Sequence, residues 1–482
     1  MAGDTPTQEY PIVWQPSQQS MDNSQMARFM RQVADETGRA FADYADLWQW
    51  SVDDRAGFWS ALWRYTGVIA SRGWDGALVD GDAMPGARWF VGARMNFAEN
   101  LLRYRDGHAA ILFHGEDGSG QRLSYAELYR QSARLAAALR ELGIGPGDRV
   151  AALVPNIPQA VVGMLATSWL GAVWSSCSPD FGVDGILDRF GQIAPKLLIA
   201  ADGYRFKGRL IDLRDKIRAV HRELGPERTQ CLLIASQGTG GMPGSLDWDI
   251  MLGGDAQAPP FAQLPFDHPL YVLFSSGTTG RPKCIVHGAG GTLLQHLKEH
   301  RLHTDIGRDD RLFYFTTCGW MMWNWLVSGL ASGATLVLFD GSPFHPTADA
   351  LWRMADQLGV SVFGTSAKYL SAQEKAGVRV VERLPLTRLR TVLSTGSPLA
   401  PASFDYVLRD IRPGVQICSI SGGTDIVSCF ALGNPLLPVR RGQLQCRGLG
   451  MAVEVFDANG RGVLGEPGEL VCTRPFPCMP VG

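Results

Sequence analysis

The sequence lacks the cysteine patterns that hold metals or form disulfide frameworks. Its nine cysteines are scattered between Cys177 and Cys478, with no C-x-x-C pair and no cysteine–histidine group at zinc-site spacing. Because an odd number of cysteines cannot all pair within one chain, we expect reduced thiols, which are typical of a cytoplasmic protein. The first residues also lack a basic segment followed by an apolar run, so the sequence gives no sign of an export signal.

An excess of one charge is missing as well. The chain has 45 basic and 47 acidic side chains, with a formal net charge of -2 at pH 7. Surfaces that bind nucleic acid need a strong excess of lysine and arginine, so we expect no nucleic-acid partner. With 482 residues, of which 45% are hydrophobic and 19% charged, the chain is expected to form two or three packed subdomains.

Two stretches without any charge are long enough to resemble membrane spans. They cover residues 151–179 and 312–339, and proline, asparagine or glycine interrupts each of them. Buried strands and helices of a parallel α/β sheet have the same composition, because both faces of such a sheet are covered. We therefore predict buried elements and no membrane span.

What the sequence does contain, over its first hundred residues, is a high density of aromatic side chains. Their spacing over residues 47–63 predicts one helix docked on a larger body, and the following WFVGARMNFAENLL is expected to be extended. We assign residues 1–108 to an N-terminal leader region.

From residue 109 onward, strand-like runs such as AAILF, DRVAALVP and TLVLFD alternate with helical patterns such as LSYAELYRQSARLAAALRELG. This alternation predicts parallel βαβ units in a doubly wound α/β architecture. After residue 439 the pattern changes to hairpin-like strands with an ANG turn. It predicts a small β-subdomain over residues 439–482, within a larger domain of residues 109–482.

The strongest local signal is the segment SSGTTGRPK, residues 275–283. Its glycines let the backbone approach a ligand, and its hydroxyls and Lys283 offer donors to oxyanions. A Walker A loop leads into a helix, whereas this segment leads into the strand-like run CIVH. A hairpin turn without a ligand is the alternative, but donors at nearly every position favour a phosphate-binding loop.

This segment resembles the phosphate-binding signature of the adenylate-forming superfamily, which includes the acyl-CoA synthetases. Further motifs occur in that superfamily's order: LSYAEL, GIGPGDRVAALVPN, GSP at residues 396–398, SGGTD at residues 421–425 and GELV at residues 468–471. The leader segment SVDDRAGFWSALWRYTGV resembles that of short-chain synthetases of the acetyl-CoA type. The resemblance spans most of the chain and implies the large N-terminal domain of that fold.

The resemblance implies that ATP and Mg²⁺ bind here. Catalytic roles fall on Thr278, Lys283, Thr424 and Asp425, with Asp425 as the Mg²⁺ ligand, where most relatives have glutamate. The residues implied to bind nucleotide are Ser275, Ser276, Gly277, Thr278, Thr279, Gly280, Lys283, Gly396, Ser397, Pro398, Ser419, Ile420, Ser421, Gly422, Gly423 and Thr424.

The implied acid pocket is lined by Trp320, Met321, Met322 and Gly422. Acetate enzymes of this superfamily have tryptophan where this chain has Gly422. We expect its absence to leave room for a longer acid such as acetoacetate, with propionate, butyrate and 3-hydroxybutyrate as alternatives.

Coenzyme A is the second implied partner. The segment YRFKGR places Arg205, Lys207 and Arg209 within five residues, where acetyl-CoA synthetases hold the nucleotide end of coenzyme A. An ordinary solvated turn is the alternative. We expect His287, after the SSGTTGRPK segment, to be structural.

The sequence thus predicts an AMP-forming acid–CoA ligase. Alternatives are an adenylation domain that loads a carrier protein, and a nucleotide-binding fragment. We expect the C-terminal catalytic domain of the superfamily, with its lysine, to be missing from this chain. The loss of one donor to a transition state gives the scale of the effect: without this lysine, adenylation should be slower by at least ~10²-fold.

Overall fold

Two seven-stranded sheets form the framework of the computed structural model, which describes residues 10–238, 241–254, 257–275 and 280–482. In each sheet six neighbouring strands run parallel, and an antiparallel strand completes one edge. The strands of the first sheet are, in spatial order, Leu246–Asp247, Gln230–Ile234, Leu197–Ala201, Arg149–Leu153, Val173–Cys177, Pro269–Ser275 and Lys283–Gly288. Those of the second are Gln416–Ser419, Thr391–Thr395, Val362–Ser366, Arg311–Tyr314, Thr335–Asp340, Ala109–Gly115 and Gly120–Ser124. The predicted parallel α/β architecture is confirmed.

Helices connect most of the parallel strands. The helix predicted from LSYAELYRQSARLAAALRELG begins with a capping box, in which Ser124 and Glu127 exchange hydrogen bonds. The described α-helices are Gln18–Asn23, Gln25–Thr37, Tyr44–Asp53, Arg55–Thr66, Phe97–Leu101, Tyr125–Glu141, Pro158–Trp169, Val183–Ile193, Arg214–Leu224, Trp248–Gly253, Ala289–Leu297, Met321–Ser328, Ala350–Gln357, Ala367–Lys375 and Pro401–Tyr406. Lys298–His303 and Val407–Ile411 are π-helical, and Gly329–Ser332 and Thr424–Ile426 are 3₁₀-helical.

Smaller sheets surround this framework. Their paired strands are Ile12–Trp14 with Val439–Arg440; Gly76–Val79 with Arg88–Val91; Leu264–Pro265 with Arg94–Met95 and Ala70–Arg72; Gly203–Phe206 with Arg209–Asp212; Ser421–Gly423 with Ser428–Leu432 and Cys446–Arg447; and Val453–Phe456 with Glu469–Cys472. The last pair is the antiparallel hairpin that contains the ANG segment. The divisions at residues 108 and 439 stay predictions.

The leader region has two helices where the aromatic spacing predicted one. Tyr44–Asp53 ends at Asp54, whose φ of -105° and ψ of 66° leave the helical region. The Asp54 carboxylate accepts a hydrogen bond from the Gly57 amide at 2.9 Å and caps Arg55–Thr66. The prediction of one helix over residues 47–63 was wrong because aspartate caps a helix better than it continues one.

The prediction that WFVGARMNFAENLL has an extended conformation was also wrong in part. Its second half forms the helix Phe97–Leu101, which Asn96 caps by accepting from the Glu99 amide. The docking of the leader is confirmed, since Trp48 donates from its indole nitrogen to the Met451 carbonyl at 3.2 Å. The leader therefore packs on the segment that follows residue 440.

Both uncharged stretches are buried, as predicted. The first contains the helix Pro158–Trp169 between two strands of the first sheet, and the second contains the helix Met321–Ser328 between two strands of the second sheet. Over the ranges that the structure describes, no helix combines the length and the apolar character needed to cross a membrane.

A polar helix runs through the interior after the strand Lys283–Gly288. The helix Ala289–Leu297 continues into the π-helical segment Lys298–His303, and most of the ionisable side chains along it are buried. π-Helical segments are rare and occur often at functional sites. We call residues 289–303 the buried polar helix.

Burial governs the protonation of this helix. It lowers the pKa of His296 to about 4 and that of His303 to about 3, and it also lowers the pKa of His300. Burial raises the pKa of the Glu299 carboxyl. These shifts share their largest cause, because a poorly hydrated interior disfavours the charged form of each group.

Acidification is expected to destabilise the fold through His296. The unfolded chain binds a proton near the ordinary histidine pKa of 6.5, whereas the folded chain binds it only near 4. This contribution to stability is present above pH 6.5 and is lost as the pH falls towards 4. The loss at about pH 5 is roughly 2 kcal/mol. His296→Gln should therefore flatten the pH profile of the free energy of unfolding, measured by urea titration between about pH 7 and pH 5. Parallel profiles for the two proteins would contradict the assignment.

Candidate active site

The strands on either side of the SSGTTGRPK segment pair in antiparallel fashion, and we call this pair the SSGTTGRPK hairpin. Ser275 ends the strand Pro269–Ser275, Lys283 begins the strand Lys283–Gly288, and the two residues are partners in the antiparallel ladder. The prediction that the segment leads into a strand is therefore confirmed. Lys283 is exposed and has no ion-pair partner among the described residues, so its ammonium group is free to meet an anion.

Pro282, directly before Lys283, is held by a neighbouring helix. Gln192, in the helix Val183–Ile193, donates from Nε2 to the Pro282 carbonyl at 2.9 Å. Gly280 has a φ of +142°, which glycine adopts far more readily than other residues. The predicted site residues Ser276, Gly277, Thr278 and Thr279 lie outside the described residues.

The SGGTD segment lies beside this hairpin. Thr424 begins the short 3₁₀-helix Thr424–Ile426, and the Thr424 carbonyl accepts a hydrogen bond from His287 Nε2 at 2.8 Å. His287 stands four residues after Lys283 on the same strand, so one side chain joins the two predicted phosphate-binding segments. The Asp425 side chain is exposed and has no hydrogen-bond partner among the described residues.

The His287 ring is neutral at physiological pH. Burial lowers its pKa to about 4, and the hydrogen bond to Thr424 and the charge of Asp425 oppose this shift only in part. Since a carbonyl only accepts, Nε2 must carry the ring hydrogen.

A cavity of about 730 Å³ opens next to the SGGTD segment. This volume is within the range of small-molecule sites. Its walls contain the predicted nucleotide-binding residues from two strand ends, together with a third segment that the sequence did not predict. The lining residues are Thr395, Gly396, Ser397, Pro398, Leu399, Ser419, Ile420, Ser421, Gly422, Gly442, Gln443 and Leu444. Thr395 donates from its hydroxyl to the Ile420 carbonyl at 2.9 Å and so holds the two strand ends together.

Gly422 is closed in by backbone. It pairs with Cys429 across two antiparallel strands, and a Cβ atom added to it would lie 2.1 Å from the Ser428 carbonyl oxygen. No side chain fits there unless the strand Ser428–Leu432 moves. We expected the absence of a tryptophan ring at position 422 to leave room for a longer acid. This expectation is incomplete, because the present backbone leaves no room even for a Cβ atom at that position.

The predicted acid-pocket residues separate into two groups. The Trp320 ring is partly exposed and lies 3.9 Å from the position of a Cβ added to Gly396, next to the cavity. Met321 and Met322 are buried in the main hydrophobic core and are not among the residues that line this cavity.

The three predicted coenzyme A cations lie on one small hairpin. The strands Gly203–Phe206 and Arg209–Asp212 are joined by a turn at Lys207 and Gly208, which have φ values of 53° and 75°. Lys207 and Arg209 are exposed, without an ion-pair partner in the described ranges, whereas Arg205 lies 3.0 Å from the Asp117 carboxylate.

Residues 97–479 match the family model described as AMP-binding enzyme, and residues 44–101 match the model described as acetyl-coenzyme A synthetase N-terminus. The chain belongs to the AMP-binding enzyme family.

Relatives within this family are similar over nearly the whole chain. The acetoacetyl-coenzyme A synthetase of Rhizobium meliloti (strain 1021) is 54% identical over 475 residues, which is 97% of this chain and 72% of that protein. The acetoacetyl-CoA synthetase of Mus musculus is 45% identical over 485 residues, covering 98% and 72%. The solved structure of the acetoacetyl-CoA synthetase from Streptomyces lividans superposes with a TM-score of 0.94 at 46% identity, covering 98% of this chain and 73% of that chain.

Two features of this site were not predicted from the sequence. The expectation that His287 is structural stays a prediction, but its contact with Thr424 was not foreseen, because the two residues lie 137 positions apart. The cavity wall at residues 442–444 carries no signal of its own, since a Gly-Gln-Leu run is common in surface loops.

A cluster of carboxyl groups near the cation hairpin was also missed. Burial, together with the charges of Asp180 and Glu116, raises the pKa of Asp340 to about 7. Asp340 and Asp180 line a cavity of about 250 Å³ beside Arg205. The Asp117 carboxylate, 3.0 Å from Arg205, works against an anion at Arg205, whereas Lys207 and Arg209 have no ion-pair partner in the described ranges.

The crowding at Gly422 can be tested by stability. Gly422→Ala is expected to lower the free energy of unfolding by about 1–3 kcal/mol, because the strand Ser428–Leu432 must move. Gly423→Ala is the matched control, since its Cβ would meet the Asp425 carboxylate at an ordinary 3.6 Å. The control should change the free energy by less than about 1 kcal/mol in urea titrations. Equal effects of the two substitutions would contradict the crowding.

Proposed function

We propose that this protein activates acetoacetate with ATP and transfers the acetoacetyl group to coenzyme A. The observation that carries the proposal is the His287–Thr424 hydrogen bond, which brings the SSGTTGRPK hairpin and the SGGTD segment together beside a nucleotide-sized cavity. Further support comes from relatives named acetoacetyl-CoA synthetase at 45 to 54% identity over nearly the whole chain.

The chemistry has two steps. A carboxylate oxygen of acetoacetate attacks the α-phosphorus of ATP, an oxygen–phosphorus bond forms, and the bond to pyrophosphate breaks. The thiol of coenzyme A then attacks the acyl carbon of acetoacetyl-AMP, AMP leaves, and the thiol proton passes to solvent. Neither step needs a covalent enzyme intermediate, so the protein acts through positioning and charge.

The hairpin and the SGGTD segment are the proposed phosphate site. Lys283 is suited to the pyrophosphate oxygens, because it is exposed at the strand end and has no described carboxylate partner. The hydroxyls of Ser275 and Thr278 and the amides of the turn would add donors. Thr424 would bind the α-phosphate.

The donor set fits Mg²⁺ bound together with a nucleotide. Mg²⁺ keeps several waters and takes only one or two carboxylates plus phosphate oxygens. Asp425 offers one such exposed carboxylate, and it directly follows Thr424, the residue proposed to bind the α-phosphate. Asp425 would therefore hold the ion, whose charge would offset that of the phosphates.

The cavity suits the adenosine and acid portions of the adenylate. Gly396, Ser397 and Pro398 line it together with Ser419–Ser421, and Trp320 stands at its Gly396 side. We propose that the adenine lies between these two strand ends, with the acid towards Trp320.

Adenylation can be measured as acid-dependent ATP–pyrophosphate exchange with the protein expressed from its complete gene. Acetoacetate should support faster exchange than acetate, propionate or butyrate.

Lys283→Ala should lower the rate of exchange with acetoacetate by about 10²- to 10³-fold, because it removes a cation that stabilises the charge developing on the phosphate oxygens.

The control for that variant is Lys375→Ala, an exposed lysine at the end of the helix Ala367–Lys375, which should leave exchange unchanged. Absence of exchange with all four acids would overturn the proposed ligase activity. Exchange that is fastest with acetate would overturn the proposed substrate alone.

Binding of coenzyme A tests the cation hairpin. The double substitution Lys207→Ala and Arg209→Ala should raise the dissociation constant for coenzyme A by about tenfold, and added salt should shrink this difference. Arg205→Ala should have a smaller effect, because its guanidinium already faces Asp117 at 3.0 Å. A larger effect of Arg205→Ala, measured by isothermal titration calorimetry, would contradict the proposed site.

A further inference from the structure

Buried side chains hold the backbone of the SGGTD segment and the strand after it. Four such side chains are His287 and three residues of the buried polar helix. Their backbone partners follow one another in order along residues 424–433. The contacts are His287 Nε2 to the Thr424 carbonyl at 2.8 Å, His296 Nε2 to the Val427 carbonyl at 2.6 Å, the Cys429 amide to Glu299 Oε1 at 3.0 Å and His303 Nδ1 to the Gly433 carbonyl at 2.9 Å.

The first two contacts bracket the turn that carries Thr424 and Asp425. A third carbonyl of that turn, that of Ile426, accepts a hydrogen bond from the Cys478 thiol at 3.1 Å. Three backbone carbonyls out of four consecutive residues are thus held by side chains from outside the turn. Such a turn has little freedom to change its path.

The turn has a conformation that needs support. Val427 has a φ of 49°, in the left-handed region that β-branched residues disfavour. His296 donates to the carbonyl of this same residue. The contact with His296 therefore falls on the residue whose backbone would otherwise relax most readily.

Asp425 depends on this support for its direction. Its carboxylate is exposed and has no hydrogen-bond partner among the described residues, so the path of its backbone sets the region that the carboxylate can reach. By contrast, His303 holds Gly433 at the far end of the strand Ser428–Leu432, away from the turn.

We propose that His287 and His296 are positioning residues for the nucleotide site. They hold the carbonyls of Thr424 and Val427 and thereby aim Thr424 and Asp425 at the phosphates and their Mg²⁺. This inference rests on the proposed role of Asp425. It adds two interior side chains that touch neither substrate nor metal.

The test compares ATP affinity with and without Mg²⁺, measured by isothermal titration calorimetry on the protein expressed from its complete gene. His287→Leu and His296→Leu remove the donors and should reduce the gain in affinity from Mg²⁺ by roughly 10- to 100-fold. His287→Gln and His296→Gln keep an amide donor near the position of Nε2 and should restore most of that gain. Binding of adenosine without Mg²⁺ should stay near the wild-type value in all four proteins, because adenosine has no phosphate for Thr424 or Asp425 to meet.

His303→Leu is the matched control. It removes the same type of contact from the same helix, so it should lower stability in urea but leave the Mg²⁺-dependent affinity unchanged. Hydrogen exchange of a peptide that covers residues 420–428 gives a second measurement. Exchange there should accelerate in His287→Leu and His296→Leu and stay at the wild-type rate in His303→Leu.

Asp425→Asn separates the two possible failures. In one outcome, Asp425→Asn abolishes the gain in ATP affinity from Mg²⁺ while His287→Leu and His296→Leu keep it. Positioning by the histidines is then overturned, and Asp425 remains the proposed metal ligand. Positioning is also overturned if His303→Leu reduces the gain as much as the other two leucine variants do. If Asp425→Asn keeps the full gain, the proposed role of Asp425 fails, and this inference fails with it.

Discussion

A polar group that is buried without a partner destabilises a fold by more than a satisfied hydrogen bond stabilises it, and the buried polar helix of residues 289–303 is subject to this constraint along its whole length. The imidazoles of His296 and His303 and the carboxylate of Glu299 satisfy it, because another backbone offers acceptors and a donor at matching positions. Residues 424–433 offer them in order, from the Val427 carbonyl to the Cys429 amide and the Gly433 carbonyl. Once this pairing is formed, the position of the SGGTD segment relative to the SSGTTGRPK hairpin is fixed.

The rest of the candidate site follows from the geometry of parallel sheets. In open α/β sheets, ligands bind outside the carboxyl ends of the strands. Ser275 ends a strand of the first sheet, whereas Thr395 and Ser419 end neighbouring strands of the second. Gly396 and Ile420 follow the latter two strands directly and line the cavity. The sheets thus supply the walls, while the contacts of the buried polar helix align the Thr424 turn with the hairpin.

Local patterns in the sequence predicted the repeating part of this structure. Runs such as AAILF and TLVLFD gave strands because both faces of a parallel sheet are buried, and the capping box at Ser124 gave a helix start. The order of short motifs predicted which residues would line the cavity between the strand ends. Interactions between distant segments were not predictable, since the His287 contact spans 137 residues and nothing near His287 marks it. The break at Asp54 was missed because the aromatic spacing continues through it, while the backbone does not.

Gly422 shows how these levels combine. From the sequence, glycine at this position was explained by the tryptophan ring that is absent there. In the structure, glycine is required because the backbone of Ser428 and Cys429 on the paired strand leaves no room for a Cβ atom. That strand cannot retreat freely, because the Cys429 amide donates to the buried Glu299 carboxylate at 3.0 Å. A larger residue at position 422 therefore requires a different path for the strand, and a different path would break the contact with Glu299. The shape of the cavity at Gly422 thus depends on the contact between a buried carboxylate and a strand, and the residue at position 422 has to fit that shape.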